Sequence, residues 1–200
     1  ASPTFRTHPI DQGLTNSTLS AHVASETATP NNAGANTRHV ECEDCHNPHW
    51  AKTGLSVKGD SRAGAVLLGA WGVIQQSWPA APAPGAGANN LPAAPTFIQA
   101  RITDTTPEYV LCFRCHSSFS TLHAFAAPND VTDISREINP TNLAHHAIAA
   151  KGKLQSANIL DTVVFVNGWR RDSYVVCSDC HTYQASTPAA GPHGSVNPRI

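Results

Sequence analysis

The chain has 200 residues, of which 40% are hydrophobic, 14% charged and 6% aromatic, with 15 prolines, 13 glycines and a formal net charge of −1. This charge excludes the basic surface of a nucleic-acid-binding protein, and no apolar run is long enough to predict a membrane span. The supply of apolar side chains is also small for an ordinary protein core.

Residues 1–41 are polar and rich in turn-forming residues, so we expect them to form an N-terminal arm. Asn16-Ser17-Thr18 in this arm is a candidate glycosylation site. The chain begins at Ala1 without an initiator Met or a hydrophobic leader, as a secreted protein does once its signal peptide has been removed.

All six cysteines belong to three copies of the pattern C-x-x-C-H, which begin at Cys42, Cys112 and Cys177. This pattern is the attachment signature of c-type haem, in which two thiols add to the porphyrin vinyl groups and the histidine binds the iron. Structural zinc, a disulfide framework and a thioredoxin-like motif each explain the spacing less well. The sequence predicts three covalent haems, attached through Cys42, Cys45, Cys112, Cys115, Cys177 and Cys180, with His46, His116 and His181 as proximal ligands.

The segments between the motifs carry few signals of regular structure. A valine lies two residues before each motif (Val40, Val110 and Val175) and follows an aromatic or imidazole side chain. This pattern predicts a short extended entry into each haem-binding turn. The Pro/Ala/Gly-rich segment 79–95 is predicted to be a loop between the first two haems. The best helix candidate is Asn142 to Leu154, and Ile159 to Val166 is predicted to form a hairpin with Tyr174 to Val176 through an Asn167-Gly168 turn.

Three flat, largely apolar macrocycles would supply the buried surface that the side chains lack. We therefore expect residues 1–200 to form a single trihaem cytochrome domain. Its fold class is predicted to be mostly irregular and loop-rich, with short helices and a few short strands, and with the haems as its core. Because haem c is attached outside the cytoplasmic membrane, we expect an extracellular protein, with the periplasm as the alternative location.

The second axial ligand of each iron is predicted to be histidine, because the chain contains no methionine and has eight histidines outside the motifs. His49 lies three residues after His46, a reach of about 10 Å, and so should serve a different haem. The same argument applies to His39, although tyrosines occupy the equivalent position before the other two motifs.

Other distal candidates are distinguished by their local sequence. His193 is framed by Gly-Pro and Gly-Ser, which fix a side chain in space. In a helix, the side chains of His145 and His146 would diverge by about 100°, so only one of them is expected to bind iron. The full set of distal candidates is His49, His146, His193, His145, His123, His22 and His39, whereas His8 is expected to be solvent-exposed near the terminus.

Two elements resemble a known group of proteins. The segment from Cys42 to His49 resembles the C-x-x-C-H-x-P-H element of multihaem cytochromes, and Gly191 to Ser195 resembles a histidine element that follows their last haem. The chain is thus similar to the extracellular multihaem c-type cytochromes that polymerise into conductive filaments, the cytochrome nanowires. In that family a histidine just after the first motif is donated to a haem of the next subunit, and the resemblance gives this role to His49.

The resemblance and the motifs together predict extracellular electron transfer through three bis-histidine haems, as the subunit of a conductive homopolymer. The alternative is a monomeric periplasmic or extracellular electron shuttle. A multihaem reductase is less favoured, since no catalytic constellation accompanies the motifs, and we expect no enzyme activity. The expected partners are further copies of the chain, redox proteins or extracellular acceptors, and neither nucleic acid nor a membrane.

Overall fold

The computed structural model describes residues 42–54, 56–83, 91–119, 133–153 and 168–181. Four single-turn helices lie in this part of the chain: α1 (Cys42–Cys45), α2 (Tyr109–Cys112), α3 (Ile134–Glu137) and α4 (Cys177–Cys180). A 3₁₀ helix (Ala65–Leu67) and two strands, β1 (Trp71–Gln75) and β2 (Phe97–Arg101), complete the regular structure of these residues. Among the described helices, none has the length and apolar character needed to cross a bilayer.

Strands β1 and β2 form an antiparallel pair whose register runs from Trp71 opposite Arg101 to Gln75 opposite Phe97. Their connection contains the Pro/Ala/Gly-rich segment, whose described parts, 79–83 and 91–95, form neither helix nor strand. The start of this segment is bound by residues that follow α3, because the carbonyl of Pro79 accepts hydrogen bonds of 2.8 Å from the side chains of Asn139 and Thr141. The segment is therefore packed against the residues that follow α3.

The best-packed region surrounds α2. Val73 and Ile102 are fully buried against Val110 and Phe113, which is 1% exposed. The Phe113 ring lies 5.0 Å from the ring of Tyr109, 6.0 Å from that of Phe97 and 6.3 Å from that of Trp78, in tilted or edge-to-face contacts. Each large side chain buried here contributes about 1.5–3 kcal/mol to folding. A small side-chain core thus holds the β-hairpin against the second C-x-x-C-H motif.

Gly72 allows the hairpin to approach α2 closely. A Cβ atom at this position would lie 2.4 Å from the carbonyl oxygen of Val110 and 2.9 Å from the amide nitrogen of Leu111. Those distances are far below van der Waals contact with backbone atoms that have no freedom to rotate away. The absence of a side chain at residue 72 therefore fixes the distance between β1 and the second motif.

The helix predicted from Asn142 to Leu154 is wrong over its described part, residues 142–153, which form turns and bends. The Asn142 side-chain amide instead donates to the carbonyls of Arg136 (2.9 Å) and Glu137 (2.8 Å), at the end of α3. Asn139 accepts the amide of Thr141 at 2.9 Å. Polar side chains that bind the local backbone compete with helix formation, and these contacts replace the helical hydrogen bonds here.

The extended entry is confirmed before the third motif, where Val176 has φ −97° and ψ 160°. It is wrong before the second, where Tyr109 to Cys112 are helical and Tyr109 packs on Phe113 one turn later. The entry to the first motif lies outside the described residues. So does the strand predicted from Ile159 to Val166; Tyr174, its proposed partner, forms an antiparallel bridge with Gly59.

Candidate haem-binding site

The three C-x-x-C-H motifs adopt the same turn. In each, the histidine amide donates to the carbonyl of the first cysteine: His46 to Cys42 at 2.8 Å, His116 to Cys112 at 2.8 Å and His181 to Cys177 at 2.9 Å. This i to i+4 bond closes one helical turn and places the two cysteines, three residues apart, on the same side. The local structure therefore presents both thiols of each motif as a pair beside its histidine.

The first motif shows how its histidine can be oriented for a metal. The His46 Nδ1 atom lies 2.9 Å from the carbonyl oxygen of Val66, in the 3₁₀ helix. Because a carbonyl only accepts, Nδ1 carries the proton, and Nε2 is the nitrogen with a lone pair. A metal-binding histidine is commonly fixed in this way, by donation from its other ring nitrogen to a backbone carbonyl.

The second motif is the most buried of the three, because Phe113 lies within it and is part of the side-chain core. The Ser117 hydroxyl donates to the Phe113 carbonyl at 2.6 Å, and the His116 carbonyl accepts the amide of Ile134 at 3.1 Å. The turn is thus held by residues that follow it in the chain, Ser117 and Ile134.

The third motif begins at a capped helix. The Asp179 carboxylate accepts the amide of Val176 at 2.9 Å, and the Asp179 amide donates to the Val176 carbonyl at 3.0 Å. An acidic side chain in the first turn also interacts favourably with the unpaired amides at a helix N-terminus. These contacts explain why α4 begins at Cys177 although its first residues are poor helix formers.

An ion pair between a buried arginine and a half-buried aspartate joins the first and second motifs. The Nη2 atom of Arg114 lies 2.9 Å from Oδ1 of Asp44, and its Nη1 donates to the Asp44 backbone carbonyl at 3.2 Å. Both residues occupy the second variable position of their C-x-x-C-H motifs. The contact therefore sets two C-x-x-C-H turns directly against each other.

A carboxylate joins the second and third motifs. Glu108, one residue before α2 and 4% exposed, accepts the Ser178 amide at 2.8 Å and the Ser178 hydroxyl at 2.9 Å. Burial raises the pKa of Glu108, whereas the two bonds from Ser178 oppose that shift. The chain positions that hold the motifs together, Asp44, Glu108, Arg114 and Ser178, were not predicted, because partners 70 residues apart leave no local signal.

The thiols of neighbouring motifs come close to each other. The sulfurs of Cys112 and Cys177 and a carboxylate oxygen of Glu108 lie within 4.8 Å of one another. Two thiols and a carboxylate are also a donor set for a metal ion such as zinc, which would compete with Ser178 for Glu108. None of the six cysteines forms a disulfide.

The surroundings of Cys45, Cys112 and Cys115 disfavour the charged thiolate. Burial raises the pKa of Cys45 to about 12 and that of Cys115 to about 11. A hydrogen bond with Cys177, together with burial, raises the pKa of Cys112 well above its usual value. Neutral sulfur is therefore the form that this environment accommodates, and a thioether is a permanently neutral form.

Of the predicted distal ligands, His49, His145 and His146 are described. His49 and His146 are exposed and His145 is half-buried. His145 Nε2 donates to the Lys151 carbonyl at 3.2 Å, and its buried Nδ1 has no hydrogen-bond partner in the part of the chain that the structure describes. As placed, His145 offers a metal only Nδ1. The other candidates, His22, His39, His123 and His193, lie outside the described residues, as does His8.

The donors fit covalent haem on three counts. Each motif presents two thiols from one helical turn, the surroundings of Cys45, Cys112 and Cys115 suit a neutral thioether, and the His46 ring donates Nδ1–H to a backbone carbonyl, as metal-binding histidines commonly do. Cys42 with Cys45, Cys112 with Cys115, and Cys177 with Cys180 would attach the three groups, each above the histidine that follows. No protein-family model, curated protein or solved structure matches the sequence.

Proposed function

We propose that the chain is an extracellular electron-transfer protein that carries three bis-histidine c-type haems and polymerises into a conductive filament. The observation that carries the proposal is the contact of all three C-x-x-C-H turns within one cluster. Arg114 and Asp44 join the first two turns at 2.9 Å, and Glu108 and Ser178 join the last two at 2.8 and 2.9 Å.

Contact between the turns matters because electron tunnelling falls off exponentially with distance. Haem, when bound, supplies a one-electron carrier at each turn. The part played by the polypeptide is to hold the attachment points next to one another, and two of the side chains that do so, Glu108 and Arg114, are buried.

His49 is the residue proposed to extend the path to the next subunit. Its backbone amide donates to the Asn47 side chain at 2.9 Å, which fixes the turn, while its side chain is exposed. Repetition of a head-to-tail contact through His49 would produce a filament, since such a contact does not close on itself.

The surface beside His49 supports contact with another molecule. Trp50 is 55% exposed and Trp71 is 39% exposed, and the Arg101 guanidinium lies 5.8 Å and 4.5 Å from their respective ring centroids. Aromatic residues and arginine are enriched in protein–protein interfaces relative to the rest of a protein surface. The exposed Trp50–Arg101–Trp71 stack thus has the composition of an interface next to the histidine proposed to cross it.

The first test is the cofactor itself: the purified protein should have the mass of the polypeptide plus three haems and the reduced spectrum of haem c. The second test is His49→Ala, which should abolish filaments in negative-stain images while covalent haem content stays at three per chain. The structure supports this separation, because the His49 backbone bond to Asn47 survives the substitution. His8→Ala, at a histidine that the sequence does not assign to iron, is the matched control.

Normal filaments from the His49→Ala protein would remove that residue from the interface. Discrete particles that carry three haems in the wild type would replace the filament by the monomeric shuttle. A bare polypeptide mass would overturn electron transfer altogether.

A further inference from the structure

Arg114 is a buried cation at the junction of two haem-binding turns. Its side chain is 10% exposed, and its two terminal nitrogens contact the carboxylate and the backbone carbonyl of Asp44. The residue lies inside the second motif, two positions before His116, and its partner lies inside the first, two positions before His46. The Arg114–Asp44 pair is therefore located where both turns would hold haem.

One donor of this guanidinium is unused. The Nε–H of Arg114 is buried and has no hydrogen-bond partner among the described residues. A buried donor left without an acceptor costs about 1–3 kcal/mol, and proteins seldom tolerate such a donor without a reason. The carboxylate that Arg114 contacts, that of Asp44, belongs to a side chain that is 27% exposed, so solvent screens the anion of the pair more than the buried cation.

We propose that the buried charge of Arg114 raises the reduction potential of the haems on the first two turns. This inference rests on the proposed function and deepens it. Reduction adds one negative charge, so a cation close by stabilises the reduced state. Because Arg114 is shielded from water, salt screens its charge less than that of a surface arginine. Asp44 has the opposite sign and should lower the same potentials.

The chain contains a matched control pair. Arg62 Nη2 lies 2.5 Å from Oδ2 of Asp60, so this pair has the same chemistry as Arg114 with Asp44. The Arg62 side chain is 54% exposed, against 10% for Arg114, whereas Asp60 and Asp44 are both 27% exposed. The Arg62–Asp60 pair lies outside the C-x-x-C-H motifs. Changes to this pair alter charge in the same way, at a site open to solvent.

The experiment is a spectroelectrochemical titration of the purified three-haem protein and its variants. Arg114→Gln should lower two of the three midpoint potentials, and Asp44→Asn should raise them. The expected effect is about tenfold in each reduction equilibrium constant, which is about 59 mV for one electron. The double variant should return close to the wild type, and Arg62→Gln and Asp60→Asn should leave all potentials unchanged.

Shifts of the same sign in Arg114→Gln and Asp44→Asn would overturn the proposal, since loss of packing alone disturbs both variants alike. Unchanged potentials in both would overturn it as well. If Arg114→Gln fails to load haem, Asp44→Asn and the charge-preserving Arg114→Lys test the proposal instead. Asp44→Asn must then raise the reduction potentials. Arg114→Lys must leave the reduction equilibrium constants within threefold of the wild-type values. A wild type with no haem would instead refute the proposed function.

Discussion

Replacement of Glu108 tests whether the second and third motifs depend on one buried carboxylate. In Glu108→Ala, the amide and hydroxyl of Ser178 lose the acceptor that lies 2.8 and 2.9 Å away. Hydrogen bonds to a charged group contribute about 1.5–3 kcal/mol each, and removing a buried carboxylate recovers part of its desolvation cost. We expect the free energy of unfolding to fall by about 2–4 kcal/mol.

Glu108→Gln should be much less costly, because the amide oxygen can still accept from Ser178 and no charge is buried. Burial raises the pKa of Glu108, so the folded protein binds the proton of the Glu108 carboxyl group more tightly than the unfolded chain does. The stability from this group is therefore fully present below the unfolded pKa of about 4.3 and is lost as pH rises through the higher folded pKa. Relative to the wild type, Glu108→Gln should gain stability as pH rises through this window.

The measurement is guanidinium unfolding of the purified protein, followed by far-ultraviolet circular dichroism between pH 4 and 8. Asp172→Ala is the control: this carboxylate lies 3.5 Å from Lys151 in an exposed pair, so its loss should cost less than about 1 kcal/mol. The reasoning is refuted if Glu108→Ala costs no more than Asp172→Ala, or if Glu108→Gln is as damaging as Glu108→Ala at every pH.

Two further predictions concern the packing of the hairpin and the choice of an iron ligand. Gly72→Ala places a Cβ 2.4 Å from the Val110 carbonyl oxygen in α2 and should reduce the free energy of unfolding by about 1–3 kcal/mol. In the control Gly152→Ala, the new Cβ would lie 3.9 Å from the Ala147 Cβ, so the free energy of unfolding should change little. Equal effects of the two substitutions would contradict the close approach of β1 to α2. The ring nitrogen of His145 that is left for a metal, Nδ1, is buried, whereas His146 is exposed. His146→Ala should therefore open a haem to carbon monoxide in the reduced protein and His145→Ala should not; the reverse result would exchange the two assignments.

The local shape of the motifs could be predicted from sequence, whereas their mutual arrangement could not. A helical turn across C-x-x-C-H follows from short-range geometry, and all three turns have the same histidine-to-cysteine hydrogen bond. The β-hairpin was missed because its strands are separated by a Pro/Ala/Gly-rich segment, and pairing across such a distance leaves no periodic signal. The helix at Asn142 failed for a related reason, since its side chain caps a preceding helix that the sequence did not reveal.

The second motif differs from its expected form because tertiary packing determines it. Tyr109 and Val110 are buried against the hairpin, and Gly72 admits that contact. Tyr109 and Phe113 are four residues apart, so a helical turn places both rings on one side, 5.0 Å from each other. In the third motif Val176 stays extended, since Asp179 caps the helix one residue later. Similar sequences before two motifs therefore adopt different conformations.

Two of the few charged residues of this chain are buried where C-x-x-C-H motifs meet. Only 14% of its residues are charged, yet Glu108 and Arg114 are both buried at contacts between motifs. Burial of a charge is costly, and well-packed apolar residues often hold two elements together at least as firmly as a buried ion pair does. Stability alone therefore does not account for a cation in the C-x-x-C-H turn. If haem is bound at these turns, as we propose, a charge at this position changes the energy of adding an electron to it, which an apolar side chain does not do.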